Sequence, residues 1–289
     1  MTQVIRRRSE IAAVRPPSGR TAVVMTMGAL HEGHAALVRA GRKIVESSGH
    51  VIVTVFVNPR QFGAGEDFER YPRTLEDDVE IARSAGADVV FAPEVDEVYP
   101  PDGSPAASIA LDPGPLGGEL EGAARPGHFA GMLTVVAKLL HMTRPDVALF
   151  GEKDYQQLVL VRAMASALDF PVDIVGVPTV READGLAMNS RNRYLSPTAR
   201  DVAAAIPAAL DAGRGAAVHG ADAVEDAVRR RLDEAERSTG LPVRVDYVAV
   251  RSTDLGPAPT TGDARLLVAV IVDGTRLLDN VPLTLGTST

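Results

Sequence analysis

Short apolar runs, each about one strand long, recur through the first part of the chain. Each is followed by a longer stretch whose apolar residues return at helical spacing. The runs predict strands over 21–26, 51–57, 88–91, 147–150 and 172–177, and the longer stretches predict helices over 34–47, 75–84, 129–141 and 155–168. Ala22-Val23-Val24 and Val51-Ile52-Val53 have no polar alternation, which suits strands covered on both faces. Beyond about Val180 the order changes. Amphipathic helices over 197–210 and 221–236 come first. Strands over 243–250, 266–272 and 275–283 follow, the last two joined by the tight-turn pair Asp273-Gly274. The expected fold class is α/β. Residues 1–179 form a Rossmann-like parallel sheet with helices on both faces, and residues 180–289 form a smaller, lid-like α+β domain with an antiparallel sheet. In parallel sheets of this kind ligands bind at the carboxyl ends of the strands. The Pro/Gly-rich stretch 100–118 reads as a long loop.

Composition narrows the function. With 45% hydrophobic and 24% charged residues, the 289-residue chain has the makings of a real core and an ordinary polar surface. No apolar run is long enough to span a bilayer, and the arginine-rich segment 1–10 lacks the apolar stretch of a secretory signal, so a cytoplasmic protein is expected. A formal charge of -8 argues against a nucleic-acid binder held by phosphate-backbone contacts. The absence of cysteine excludes disulfides, thiol nucleophiles and cysteine–zinc sites. The absence of tryptophan and 4% aromatics leave little for base stacking. Lysine occurs three times among 30 basic residues, so a lysine inside a motif draws notice.

The polar clusters fall at predicted strand ends. Met25-Thr26-Met27-Gly28-Ala29-Leu30-His31-Glu32-Gly33-His34 joins a buried strand to a helix. Outward-pointing backbone N–H groups at that helix start, with two imidazoles on one face, suit a phosphate. Helix capping by two half-exposed histidines would explain the same residues taken alone. The segment is neither a Walker loop nor a GxGxxG fingerprint, and HxxH without a third ligand is a poor zinc site. Asn58-Pro59-Arg60-Gln61-Phe62-Gly63 is turn-forming, yet Gln61 offers a donor and an acceptor to a hydroxy acid. Thr74 is a candidate N-cap. Glu76, Asp77 and Asp78 suit the helix dipole, and one of them is a candidate ligand for Mg2+ beside phosphates. Gly151-Glu152-Lys153-Asp154 carries a lysine suited to a point contact with phosphate, and Gln157 follows it at i+4. The stretch 180–195 reads as a polar hairpin, either a surface feature or an anion clamp. Arg125-Pro126-Gly127-His128-Phe129 reads more weakly, as the start of a helix with an exposed imidazole.

Together MTMGALHEGH, NPRQFG, YPRT, RPGHF, LFGEKDYQQ, PTVREADGLAMNSRNRYL and RLLDN resemble, in order, the motifs of the pantoate–beta-alanine ligase family of the HIGH-motif nucleotidylyltransferase-like superfamily. Asn189 stands where the family usually has a serine. The resemblance implies ATP-dependent joining of (R)-pantoate to beta-alanine through a pantoyl adenylate, with ATP as co-substrate, Mg2+, and a homodimer. It implies phosphate stabilisation by His34, His31 and Lys153, with His34 the proton donor, and a pyrophosphate hold by Ser190 and Arg191. It further implies a nucleotide seat from Met27, Gly28, Ala29, Leu30, His31, Glu32, Gly33 and His34, from Gly151, Glu152, Lys153 and Asp154, and from Val180, Met188, Asn189, Ser190 and Arg191. Gln61 and Gln157 would hold pantoate, and Asp77 or Asp78 the metal. The rival readings are another nucleotidylyltransferase of the superfamily and a non-catalytic nucleotide-binding module.

Overall fold

A computed structural model describes residues 2–15, 18–63, 68–101 and 104–286. Residues 102 and 103 of the expected long loop, and Met1, lie outside the described residues. The chain divides into two units. The first comprises Met1–Gly151 and Gln157–Val177, and the second comprises Glu152–Gln156 and Pro178–Thr289. The expected boundary near Val180 leaves 152–156 in the first domain, whereas by packing this short segment belongs with the second.

In the first unit, strands β1 (Gln3–Ile5), β2 (Thr21–Thr26), β3 (His50–Val55), β4 (Val89–Phe91), β5 (Val147–Gly151) and β6 (Asp173–Val177) form one sheet. Its order is β1-β4-β3-β2-β5-β6, and every pairing is parallel. Helices α1 (Arg8–Val14), α2 (Glu32–Val45), α3 (Leu75–Ser84), α4 (Val95–Val98), α5 (Glu121–Ala124), α6 (His128–Thr143) and α7 (Tyr155–Ala167) connect the strands, and α7 begins in the inserted segment. Ala22, Val24, Val51, Val53, Val90 and Leu149 share a core with Leu37 and Val38 of α2 and Ala82 of α3. The alternate residues Val23, Ile52, Ala148 and Phe91 face the other way and are equally buried. Burial on both faces is why these strands lack polar alternation. The chain runs outward from β2 through β3 to β4, then restarts at β5 on the opposite side. The strand order therefore reverses between β2 and β5, which is where such sheets open a ligand crevice at their carboxyl ends.

Neither β1 nor α1 is evident from the sequence pattern. β1 is a three-residue edge strand with two of its residues exposed, too short to show a period.

In the second unit, helices α8 (Pro197–Ala203), α9 (Ala205–Gly215) and α10 (Ala221–Thr239) pack on strands β7 (Val243–Ser252), β8 (Gly262–Val272) and β9 (Thr275–Leu285). The sheet is antiparallel, in the order β7-β8-β9. Asp273 and Gly274 have φ of 49° and 74°, the paired left-handed conformation of a two-residue hairpin turn. The helix expected over 197–210 is two helices. Pro207 has no N–H to continue a helix from Pro197, and the break at Ala204 puts it in the first turn of α9, where no intrahelical donor is needed.

Candidate active site

The loop after β2 is built by its neighbours. Thr26 at the strand end donates its hydroxyl to Thr54 O (2.7 Å) and accepts the Gly28 N–H (3.2 Å). Gly28 then takes φ of 89°, and a Cβ there would lie 2.9 Å from Asp78 Oδ2. Asp78, 1% exposed on α3, accepts the N–H groups of Ala29 (3.1 Å) and Leu30 (2.7 Å). Burial pushes its carboxyl above the usual carboxylate range, against the pull of those two N–H bonds. Thr74 stands at the N-cap position of α3, but its hydroxyl is directed to Asp78 (3.3 Å) instead of capping the helix.

The two histidines cap α2 reciprocally. His31 Nδ1 accepts the Gly33 N–H at 3.1 Å, and His34 Nδ1 accepts the His31 N–H at 3.2 Å. A backbone N–H can only donate, so each Nδ1 presents a lone pair and each neutral ring carries its proton on Nε2. The ring centroids lie 4.1 Å apart. The N–H groups of Gly28, Ala29, Leu30, His31, Gly33 and His34 all have partners within the protein, so they are spent on shaping the loop.

Gln61 closes a short turn after β3. Its side-chain oxygen accepts from Asn58 Nδ2 (3.3 Å), while its carbonyl oxygen accepts from His128 Nδ1 (2.9 Å) and Arg125 Nη2 (3.3 Å). Asn58 is buried and fully engaged. It donates also to Gly131 O (3.1 Å), and its Oδ1 accepts from Tyr99 OH (2.7 Å) and Arg60 N (3.2 Å). A Cβ on Gly131 would collide with Arg60 O at 1.9 Å, so a glycine in α6 lets this turn lie against the helix. Burial raises the Tyr99 phenol to about 12, although Arg60 and Asn58 pull it down. Arg125 Nη1 meets His128 Nε2 at 3.0 Å, which with the Gln61 carbonyl fixes the proton of that ring on Nδ1. His128 is thus part of the support for Gln61. Gln157, half-buried in the first turn of α7, follows β5, so β2 stands between the strands that lead to the two glutamines.

The second unit carries the Lys153 turn (Glu152–Asp154) and the hairpin leading to a turn over Ser190–Tyr194. Lys153 Nζ donates to Asp154 Oδ1 at 3.2 Å, with 17% of the lysine side chain exposed. Asn280 Nδ2 donates to Glu152 O (2.9 Å) and Lys153 O (2.8 Å). Arg265 pairs with Glu152 Oε2 (3.0 Å) and stacks over the Tyr155 ring at 4.0 Å. In the hairpin, Met188 N donates to Val180 O (2.9 Å), Arg181 bridges Ala187, and Arg181 makes a two-bond pair with Asp279 (2.6 and 3.0 Å). Asn189 Oδ1 caps the next turn by accepting the Arg191 N–H (3.2 Å). A serine hydroxyl could accept the same bond. Ser190 and Arg191 are half-buried in that turn.

The profile of the Pantoate-beta-alanine ligase family matches residues 1–282. The chain belongs to that family. It is similar to a pantothenate synthetase of Salinispora arenicola, with 57% identity over 99% of both chains, and to one of a Mycobacterium species (strain KMS), with 54% identity over 96% of this chain and 85% of the relative. Among solved structures it resembles the pantothenate synthetase of Thermus thermophilus (TM-score 0.85, 44% identity, 97% of this chain and 99% of that one). It also resembles the pantoate-beta-alanine ligase of Francisella tularensis complexed with beta-gamma ATP and beta-alanine (TM-score 0.76, 30% identity, 97% of both).

In this pantoate–beta-alanine ligase family member, the two expected metal ligands stand in different surroundings. Both Asp78 oxygens are occupied by backbone N–H groups, and Asp77 is exposed. Among the described residues no group of three His, Cys, Asp or Glu side chains could hold an ion. No helix among them is long and apolar enough to cross a membrane. The residues to which the sequence assigned no role are the supports: Asn58 and Tyr99 behind Gln61, and Arg265, Asp279 and Asn280 behind the second unit's loops.

Proposed function

We propose that this chain joins (R)-pantoate to beta-alanine at the expense of ATP, releasing AMP and pyrophosphate, as a cytoplasmic homodimer. The observation that carries the reading is the reciprocal histidine cap in a chain of this ligase family. It sets two imidazoles side by side on the first turn of α2, ring centroids 4.1 Å apart, each held by a backbone N–H at Nδ1. A pantoate carboxylate oxygen attacks the α-phosphorus of ATP, the bond from that phosphorus to the bridging oxygen breaks, and pyrophosphate leaves. The amine of beta-alanine, as its free base, then attacks the acyl carbon. The bond from that carbon to the AMP oxygen breaks, and the surplus amine proton passes to solvent. A carboxylate is a poor acyl donor, and the adenylate supplies the leaving group.

The first step calls for donors aimed at charge that develops on the phosphates. We assign this to His34, His31 and Lys153 as hydrogen-bond donors to the phosphate oxygens, and the departing pyrophosphate to Ser190 and Arg191. Gln61 and Gln157 hold pantoate by its hydroxyl and carboxylate oxygens. Mg2+ would enter with ATP as part of the substrate and would offset the charge of its phosphates.

The test is pyrophosphate exchange into ATP by the purified chain. Exchange should require pantoate, and adding beta-alanine should yield AMP and pantothenate in equal amounts. Nucleotide transfer that stops before amide formation would identify another nucleotidylyltransferase, and no AMP release at saturating substrates would identify a binding module. Sedimentation equilibrium at assay concentration tests the dimer.

A further inference from the structure

The motif RLLDN has no role in the chemistry above, yet two of its residues hold both loops of the second unit. Asp279 and Asn280 are neighbours on β9, each 3% exposed. Successive side chains of a strand point to opposite faces, so a single stiff segment can grip something on either side. Asn280 spends its amide N–H donors on the carbonyls of Glu152 and Lys153, and its oxygen accepts from Arg265 Nε at 2.6 Å. Asp279 takes the Arg181 guanidinium in a two-bond pair, and the same Arg181 reaches Gly185 O at 3.0 Å across its own hairpin. Asp279 Oδ1 also accepts the Asn280 N–H at 2.7 Å, which ties the two grips together.

We propose that Asp279 and Asn280 are positioning residues that fix the Lys153 turn and the 181–191 hairpin to one strand, so that both loops meet the nucleotide phosphates in a set register. The assignment rests on the ligase reading for what the loops do. Both side chains are buried and engaged within the protein. Their effect acts through where Lys153, Ser190 and Arg191 stand, and a misplacement of about 1 Å is enough to cost roughly a hundredfold in rate.

The experiment compares the full chain with Asn280→Ala, Asn280→Asp and Asp279→Asn. Aspartate at 280 keeps an acceptor for Arg265 but has no N–H for the two carbonyls, so it isolates the grip on the lysine turn. Amide hydrogen exchange on the unliganded protein should speed up over 152–156 in both Asn280 variants and over 181–191 in Asp279→Asn. Pantoate-dependent pyrophosphate exchange should lose about tenfold or more in kcat in all three, with KM for pantoate within about twofold, because an interaction used in the transition state is lost while pantoate binding is not. If Asn280→Ala does not fold, the near-isosteric Asn280→Asp decides. Parental exchange protection with parental kcat in Asn280→Asp or Asp279→Asn overturns the proposal. So does a lowered melting temperature with parental kcat below it, the outcome of a purely structural role. Changed amide protection in the variants, with no pantoate-dependent reaction in the parent, refutes the ligase reading and leaves the loop attachment standing.

Discussion

Replacing Asp78 with alanine takes the acceptor from two buried N–H groups, those of Ala29 and Leu30, in the loop that carries the histidine cap. A buried donor left unsatisfied costs about 1–3 kcal/mol. Two of them set the upper range, and removing a desolvated carboxylate returns part of it, since burial already pushes that carboxyl up. The net expectation is a loss of about 3 kcal/mol. For a domain of this size each kcal/mol moves Tm by about 2–4 °C, so a fall of roughly 6–12 °C is expected by far-UV circular dichroism. Asp78→Asn keeps one acceptor and should lose about half as much. The scan is run with Mg2+ and with a chelator. A loop anchor gives the same fall in both. A fall that appears only with Mg2+, or no fall together with a raised Mg2+ requirement for turnover, would refute the anchor and return Asp78 to the metal.

Three other outcomes can be checked. Lys153→Ala should lower kcat for pantoate-dependent exchange by about a hundredfold or more, as loss of a donor aimed at developing charge does, with unchanged far-UV dichroism; near-normal turnover would remove Lys153 from the site. In isothermal titration, Gln61→Ala should weaken pantoate binding more than ATP binding, and equal losses would count against its role. Tyr99 holds its proton up to about 12 in the folded protein, against about 10 in an unfolded chain. Its contribution to stability is complete below pH 10 and is lost as pH rises toward 12. Tyr99→Phe should flatten that alkaline decline, and an unchanged slope of stability against pH there would contradict the shift.

The sheet was legible because burial on both faces writes itself as unbroken apolar runs, and α3 and α7 are found where the helical spacing puts them. β1 was not legible, since three edge residues carry no period. The break at Ala204 was legible in principle: Pro207 marks it, but the amphipathic spacing runs on through the proline. In the site, sequence identifies side chains by chemical type and says little about which backbone atoms they serve. The sequence does not show that Asp78 accepts the N–H groups of Ala29 and Leu30, because they lie about 50 positions back along the chain. His128 looked exposed because its acceptor is a carbonyl oxygen, which no motif records. Before α2, the positive-φ residues Gly28 and Ala29 set the loop so that the N–H groups of Ala29 and Leu30 turn inward to Asp78.

The place of 152–156 bears on how the molecule comes into being on the ribosome. The carbonyls of Glu152 and Lys153 meet their partner amide 128 and 127 positions later in the chain. The parallel sheet of the first unit is complete once β6 has emerged, well before that amide has been synthesised. A nascent chain at that stage can fold around its histidine turn while the Lys153 turn still lacks its anchor. A fragment that begins at Pro178 would have the opposite deficiency, with Asn280 and Arg265 buried and their partners missing. The second unit is therefore a poor candidate for expression by itself, and a split or circularly permuted version of this enzyme should be cut elsewhere than at the apparent boundary.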